Sequence, residues 1–543
     1  MSNPEPMTIP AMLADSAARY DSRPAVVDAG VTVSYRELDD RVRDWARAYL
    51  ANGVRHGDRV ALWAPNRLEF ILAMLGAQSV GAAVVPLNTR YTGHEAKVIL
   101  ERSRACVLVV DDGFLGRGFI QMLADAAATA DGPPGDGPIP GLPNLRTVVD
   151  LSAPGTGTDR LGIEEFLTLG KSVPEEQARQ VAAAVSPEDV VDILYTSGTT
   201  GLPKGVMSAH RQTIGVARVW ARGAELSPDD RYAVVNPFFH GFGYKAGMIS
   251  SLVAGTAIYP VANFDTDALL ELIQGARITV LPGVPTIFTS LLDHPRLKEF
   301  DLSSLRFAIA GATAAPSTLF QDMVNILGFT TIAQAYGLTE CVVATLSRPN
   351  EELSHAAQTT GPAVPGLEIR IIDAAGQEVP VGHDGEILLR GDTVMLGYFE
   401  DEAATRAAIS DEGWFHTGDV GQLDEHGCLK ITDRLKDMYI VGGFNVYPAE
   451  IENALRQHPA VNESAVIGID DARLGTVGRA YVALYQDAAD RPSAEDLIAF
   501  CRTRLANFKV PREVIFVTDF PRNGTGKIMK SELRTLAESA RES

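Results

Sequence analysis

Between residues 59 and 310, short apolar runs rich in β-branched side chains alternate with longer helix-like stretches. Arg59–Trp63 (RVALW) reads as a strand, Glu69–Val80 as a helix, Ala83–Pro86 as another short apolar run and Ala105–Val110 (ACVLVV) as a strand. The same rhythm returns at Tyr232–Asn236, Ala257–Pro260, Ile278–Leu281 and Phe307–Ala310. Alternation of this kind predicts crossover units around largely parallel sheets, hence an α/β fold. Residues Asp131–Pro143 (DGPPGDGPIPGLP) interrupt it with Gly and Pro and predict a surface loop. Around Gly385–Arg390 and Cys428–Thr432 short strands crowd together with turn signals between them, which suggests a small β-rich subdomain. The character changes again after Arg434. The expectation is a large domain over 1–435 and a small α+β domain over 436–543, joined near Lys436 by a hinge rather than a long tether.

Composition narrows the class of function. Forty-eight basic residues against 69 acidic ones give a net charge of −21, a field that repels nucleic acid and anionic membrane surfaces. No apolar run approaches the ~20 residues that span a bilayer, and the opening MSNPEPMTIPAML has no signal-peptide pattern. Cys106, Cys341, Cys428 and Cys501 are scattered and form no CxxC pair. Reduced thiols and a cytoplasmic location are therefore expected, with no nucleic-acid partner and no integral membrane contact. A homo-oligomer is left open.

The most informative segment is Tyr195–Gly205 (YTSGTTGLPKG), which follows the apolar run Val190–Leu194. Glycines let the backbone approach a phosphate, hydroxyls and amides donate to its oxygens, and Lys204 adds a positive charge. It is not a Walker A loop, because Pro203 precedes the lysine and Gly205 follows it. The later GTGKI at Gly524–Ile528 has Ile528 where that motif requires Ser or Thr. Gly241, Gly243 and Ala246 match a loose dinucleotide pattern, which alone is weak evidence for nicotinamide binding. Hydrolase and zinc-protease motifs are missing from the sequence.

At YTSGTTGLPKG the chain resembles the adenylate-forming superfamily of acyl- and aryl-CoA ligases, peptide-synthetase adenylation domains and beetle luciferases. AQAYGLTE (Ala333–Glu340), WFHTGD (Trp414–Asp419), DRLKDMYIVGGFNVYPAEIE (Asp433–Glu452) and PRNGTGKI (Pro521–Ile528) follow in that family's order. The resemblance covers nearly the whole chain and is nearest to the stand-alone acyl-CoA synthetases. It implies a large N-terminal domain of stacked α/β sheets, a small β-rich subdomain and a small mobile α+β C-terminal domain.

The roles it implies can be set beside elementary chemistry. Bringing a carboxylate to a triphosphate needs cations and oriented donors. ATP is expected to be held by Thr196, Ser197, Gly198, Thr199, Thr200, Gly201 and Lys204, with Gly311, Ala312, Tyr336 and Gly337 around the adenine. Thr339 is expected at the α-phosphate, and Asp419 and Arg434 at the ribose and phosphate region. Lys527 matches the catalytic lysine that bridges carboxylate and α-phosphate. Glu340 is the implied Mg2+ ligand, since hard carboxylate oxygen suits that ion. His240 matches an aromatic gate beside the carboxylate site. It is not a general base, because the acid is already ionised at pH 7. Rotation about Lys436 would withdraw Lys527 and bring in Gly442 and Gly443, beside which CoA's pantetheine would run. Asp471–Thr476 departs from the family in carrying Thr476 where many relatives have Glu.

The acyl pocket is expected around Phe238, His240, Gly241, Lys245 and Gln334, which suits a medium-sized or bulky hydrophobic acid. Pro237 and Phe238 stand where amino-acid-activating relatives carry an Asp, which disfavours an α-amino acid. Lys245 either meets a ketone or second carboxylate of the substrate, or pairs with an acid at the rim. The stretch FFHGFGYKAG is similar to actinobacterial ligases of steroid-ring-derived propanoates, and linear medium-chain acids stay open. The expected reaction is acid + ATP + CoA to acyl-CoA + AMP + pyrophosphate. An acyl-AMP ligase loading a separate carrier protein, a luciferase-like oxygenase and a non-catalytic nucleotide sensor are the alternatives.

Overall fold

The structure is a computed structural model. It describes the chain apart from residues 1–4, 129–136, 153–159, 197–202, 311–316, 350, 435, 436, 438, 442, 443, 447, 472–474, 486–490, 506, 508, 523–526 and 543. Two compact units result, one of residues 1–368 with 389–415, the other of 369–388 with 416–543. The second therefore takes in strands that precede the expected boundary at 435.

The first unit is built on two sheets. One has eight strands in the spatial order Gly397–Tyr398, Lys204–Ala209, Val190–Thr196, Ala83–Pro86, Arg59–Trp63, Val107–Val110, Thr147–Asp150, Arg160–Gly162. From Val190–Thr196 onward all neighbours are parallel, as the crossover pattern predicts. The other sheet orders Arg231–Val234, Ala257–Pro260, Pro24–Asp28 and Val31–Ser34. Val280 extends it by isolated parallel bridges to Tyr232 and Phe307, and Phe307–Ile309 pairs in parallel with Thr331–Ala333. The run Ile278–Leu281 thus contributes a bridge rather than a full strand, because Pro282 follows at once and has no amide to donate.

Helix Leu68–Ser79 is buried on every side, which explains its lack of a polar stripe. Asn66, just ahead of it, ties to the second sheet: its Nδ2 donates to the carbonyls of Val234 and Asn236, both at 2.9 Å. Its Oδ1 accepts from the Phe238 amide at 2.6 Å. One short polar side chain therefore fixes the start of the 236–249 segment. Helices Tyr35–Ala51 and Gly93–Ser103 begin with reciprocal caps, Ser34 with Glu37 and Thr92 with Glu95.

The second unit takes in most of a sheet ordered Leu367–Ile372, Gly385–Gly391, Phe415–Leu423, Leu429–Arg434, the last two antiparallel. Its other sheet centres on Gly475–Leu484, which pairs with Val461–Asp471, Tyr439–Val441 and Glu513–Phe516. Thr476 lies in register with Asp470 on that sheet. Helices Pro448–Arg456, Ala494–Arg502 and Lys530–Glu542 complete the unit. Residues 137–143 of the Gly/Pro-rich stretch form turns and irregular backbone, but Ile139 and Leu142 are buried in the core of the first unit, so this part is not wholly the surface loop that its Gly and Pro predict; residues 131–136 lie outside the described residues. All four cysteines are buried and unbridged. Among the described residues no helix is long and apolar enough to cross a membrane.

Candidate active site

Strands Val190–Thr196 and Lys204–Ala209 form an antiparallel pair closed by Thr196 opposite Lys204. These two residues bracket the phosphate-type loop, so Thr196 and Lys204 are brought together at its base. Ser197, Gly198, Thr199, Thr200 and Gly201 lie outside the described residues, as do Gly311, Ala312, Lys436, Gly442 and Gly443.

The AQAYGLTE motif is a hairpin. Ala335–Leu338 and Cys341–Leu346 run antiparallel, with Leu338 opposite Cys341, so Thr339 and Glu340 are the two turn residues. Gly337 is required by packing rather than by turn conformation: a Cβ there would lie 2.0 Å from the Val342 carbonyl oxygen. Tyr336 and Thr339 are partly exposed on the same hairpin, and Gln334 is buried just before it. The Gln334 amide donates to Ser347 Oγ at 3.0 Å.

Glu340 is partly exposed, and its Oε1 accepts from the Tyr398 hydroxyl at 2.9 Å. Burial pushes the Tyr398 phenol well above its ordinary range, and the Glu340 carboxylate raises it further. The phenol therefore stays protonated and remains a donor. The Lys204 ammonium sits 4.9 Å from the centroid of the same ring. Tyr398 escaped the sequence reading. The only signal was its place in a short MLGY run that pairs with the strand beginning at Lys204.

The expected acyl segment runs past this hairpin. Phe238 is fully buried against Phe70, with ring centroids 5.5 Å apart, whereas His240 is exposed. Gly241 packs on the hairpin, where an added Cβ would meet Val342 Cγ2 at 2.8 Å. From Phe242 to Ile249 the chain is a π-helix, a wider turn often found at functional sites. A Cβ on Gly243 would lie 2.2 Å from the Pro237 carbonyl oxygen, so the glycine lets this helix fold back on its own lead-in. The loose dinucleotide pattern is thereby explained by helix packing.

Lys245 lies on that π-helix and is 2 % exposed. Its ammonium is 3.1 Å from Asp192 Oδ2 and donates to Ser208 Oγ at 2.7 Å. Thr213 Oγ1 donates to the same carboxylate oxygen at 3.0 Å. Of the two readings the sequence allowed for Lys245, pairing with an acid is the contact present, although the acid is in the core and not at a rim. Asp192 and Ser208 were not foreseen, since both sit inside strands that read as apolar. Burial pushes the neighbouring Cys341 thiol up to about 12, against the pull of the Lys245 charge.

The remaining candidates belong to the second unit. Asp419 is buried, lies in register with Arg434, and has an amide that donates to Thr417 Oγ1 at 3.0 Å. Lys527 is exposed, just ahead of helix Lys530–Glu542 and beside the bridge between Arg522 and Ile528. Asp437 accepts from Arg534 at 2.7 Å, and Lys530 pairs with Glu452 at 2.9 Å, so the residue after Lys436 is tied to the helix that follows Lys527.

Two strands closing a Gly/Thr-rich loop on a lysine, with an acidic hairpin turn beside it in stacked α/β sheets, define a nucleotide-handling enzyme. The AMP-binding enzyme family matches residues 13–399, the AMP-binding enzyme C-terminal domain matches 450–527, and the chain belongs to this family. It is 47% identical over 533 residues to a 3-[(3aS,4S,7aS)-7a-methyl-1,5-dioxo-octahydro-1H-inden-4-yl]propanoyl:CoA ligase of Rhodococcus jostii (strain RHA1), covering 98% of this chain and 99% of that one. The ligase of the same name from Mycobacterium tuberculosis (strain ATCC 25618 / H37Rv) is 46% identical over 531 residues, covering 97% and 99%. Among solved structures, ATP-bound MatB from Rhodopseudomonas palustris has a TM-score of 0.81 at 31% identity, covering 97% of this chain and 98% of that one. The expectations of superfamily and fold class are borne out. The protein is an AMP-forming acid–thiol ligase that uses ATP and CoA and acts through an acyl-AMP intermediate.

Proposed function

We propose that the acid activated here is a keto-bearing fused-ring propanoate of the kind named for the Rhodococcus and Mycobacterium relatives. The observation that carries this is 47% identity spread over 98% of the chain, which includes the π-helical acyl segment. Bulky apolar acids suit a segment with Phe238 buried at its base and glycines at 241 and 243. Lys245 is assigned a supporting role, since Asp192 and Ser208 already occupy its ammonium.

In the first half-reaction a carboxylate oxygen bonds to the α-phosphorus of ATP while the bond to pyrophosphate breaks. Thr196, Lys204, Tyr336, Gly337 and Thr339 are proposed to hold the nucleotide, together with Ser197, Gly198, Thr199, Thr200, Gly201, Gly311 and Ala312. Asp419 and Arg434 take the ribose and phosphate region. Lys527 offsets the approach of like charges as a mobile ammonium. His240 borders the carboxylate site, with Phe238, Gly241 and Gln334 along the acyl group. In the second half-reaction the CoA sulfur bonds to the acyl carbon, the bond to AMP breaks and the thiol proton is released. Rotation about Lys436 to present Gly442 and Gly443 to CoA serves this step.

Glu340 suits Mg2+: it is a hard carboxylate on a partly exposed turn, and among the described residues its Oε2 has no hydrogen-bond or ion-pair partner. When bound, the ion would neutralise phosphate charge. A cytoplasmic location is part of the same reading.

The test is to incubate the protein with ATP, magnesium and a panel of aliphatic, aryl and fused-ring propanoic acids, with and without CoA, and to read products by mass spectrometry. Acyl-CoA and AMP formed chiefly from the fused-ring dioxo acid support the proposal. Preference for linear medium-chain acids refutes the substrate assignment. Acyl-AMP that accumulates and ignores CoA would point to a carrier-protein acceptor.

A further inference from the structure

Tyr398 stands between the two oppositely charged groups of the nucleotide site. It lies on the two-residue strand Gly397–Tyr398, antiparallel to Lys204–Ala209 with Tyr398 opposite Val206. The Phe399 amide donates to the Gly205 carbonyl at 2.7 Å, which pins this strap to the strand that begins at Lys204. The other end is pinned to the acidic turn, where the Met395 amide donates to the Glu340 carbonyl at 2.7 Å. Residues 395–399 therefore bridge the exit of the phosphate loop and the hairpin turn by backbone bonds alone.

The side chain repeats that bridge. Tyr398 is 8% exposed, its hydroxyl donates to Glu340 Oε1 at 2.9 Å, and its ring carries the Lys204 ammonium at 4.9 Å from the centroid. Among the described residues Lys204 and Glu340 form no ion pair with each other. Direct pairing would neutralise both groups before a ligand arrives. A ring face holds an ammonium by its quadrupole and supplies no counter-charge. A single hydroxyl donor occupies one carboxylate oxygen and restrains the rotamer that presents the other.

We infer that Tyr398 is a positioning residue that keeps Lys204 and Glu340 apart and oriented, its ring setting the cation for phosphate and its hydroxyl setting the carboxylate for the metal ion. The metal half rests on the reading of Glu340 as the Mg2+ ligand.

The test is calorimetric titration of ATP into the full chain without acid or CoA, once with magnesium and once with EDTA. Wild-type protein is expected to bind ATP more tightly with magnesium, and Glu340→Gln to lose that gain. Tyr398→Phe, which keeps the ring, is expected to match wild type in EDTA while its magnesium-dependent gain falls about ten- to hundredfold, the effect of losing a hydrogen bond to a charged group. Tyr398→Leu is expected to weaken binding about threefold or more already in EDTA, because Lys204 loses its platform. A purely structural role would lower the unfolding temperature without separating the two titrations. A full wild-type magnesium gain in Tyr398→Phe overturns the inference while leaving the Glu340 reading intact. A gain that survives in Glu340→Gln, or its absence in wild type, overturns that reading and the inference with it. If Tyr398→Leu does not fold, Tyr398→Phe decides alone.

Discussion

The ammonium of Lys245 lies 3.1 Å from Asp192 Oδ2, with both side chains removed from solvent. Asp192 belongs to the strand that leads into the phosphate-type loop, and Lys245 to the π-helix of the acyl segment. The pair therefore ties that strand to that helix within the core. Removing one partner of a buried pair leaves an uncompensated charge, a loss of about 3–5 kcal/mol. Lys245→Met is expected to lower stability by that amount in urea unfolding followed by tryptophan fluorescence. Pairing it with Asp192→Asn should restore part of the loss, because the stranded anion is then gone. Additive losses in the double variant would contradict this coupling.

On the proposed reading, Lys527 supplies charge to adenylation and is not needed once the anhydride exists. Lys527→Ala is expected to reduce acyl-AMP formation by about 100-fold or more, in line with removal of a group that meets developing charge. Thioester formation from supplied acyl-AMP should stay within about threefold of wild type, since that electrostatic demand is then absent. Single-turnover assays of each half-reaction check this. Equal loss in both would end the division of labour.

His210 opens the helix that follows strand Lys204–Ala209, and its Nδ1 accepts from the Ile9 amide at 3.1 Å. Burial pushes its pKa down to about 4, from 6.5 for an ordinary histidine. The unfolded chain therefore takes up a proton near pH 6.5 that the folded chain refuses until about pH 4. This contribution to stability is complete above pH 6.5 and is lost as pH falls towards 4, at about 1.4 kcal/mol per unit within that window. Thermal unfolding from pH 7 to 4.5 should show the slope. It should be flatter in His210→Asn, whose Oδ1 can replace the acceptor without titrating.

A Cβ at Gly337 would stand 2.0 Å from a backbone oxygen that cannot move without opening the hairpin. Gly337→Ala is expected to displace Thr339 and Glu340 and to weaken ATP binding about tenfold, from overpacking of about 1–3 kcal/mol. Gly215→Ala is the matched control. Nothing lies within 4 Å of that Cβ, and the position is inside helix His210–Gly223, so ATP affinity should not change.

Much of the architecture is legible in the chain itself. Arg59–Trp63 and Ala257–Pro260 are strands with the bounds their apolar runs predict, and helix Leu68–Ser79 differs by one residue at each end from Glu69–Val80. These elements are local: their periodicity and stop signals lie within a few residues. Ile278–Leu281 reads as a strand by the same rule, yet contributes a bridge, because Pro282 follows at once and cannot donate to the ladder.

By itself the sequence determined the family and the inventory of charged and small residues, because the family's motifs are contiguous and survive as text. Tertiary structure alone decided which residues work together. Tyr398 reaches Glu340 across 58 positions and Lys245 reaches Ser208 across 37, through strand order and helix packing that no local pattern encodes. The π-helix is of the same kind. Within it Gly243 packs against the Pro237 carbonyl, a contact that exists only once the chain is folded.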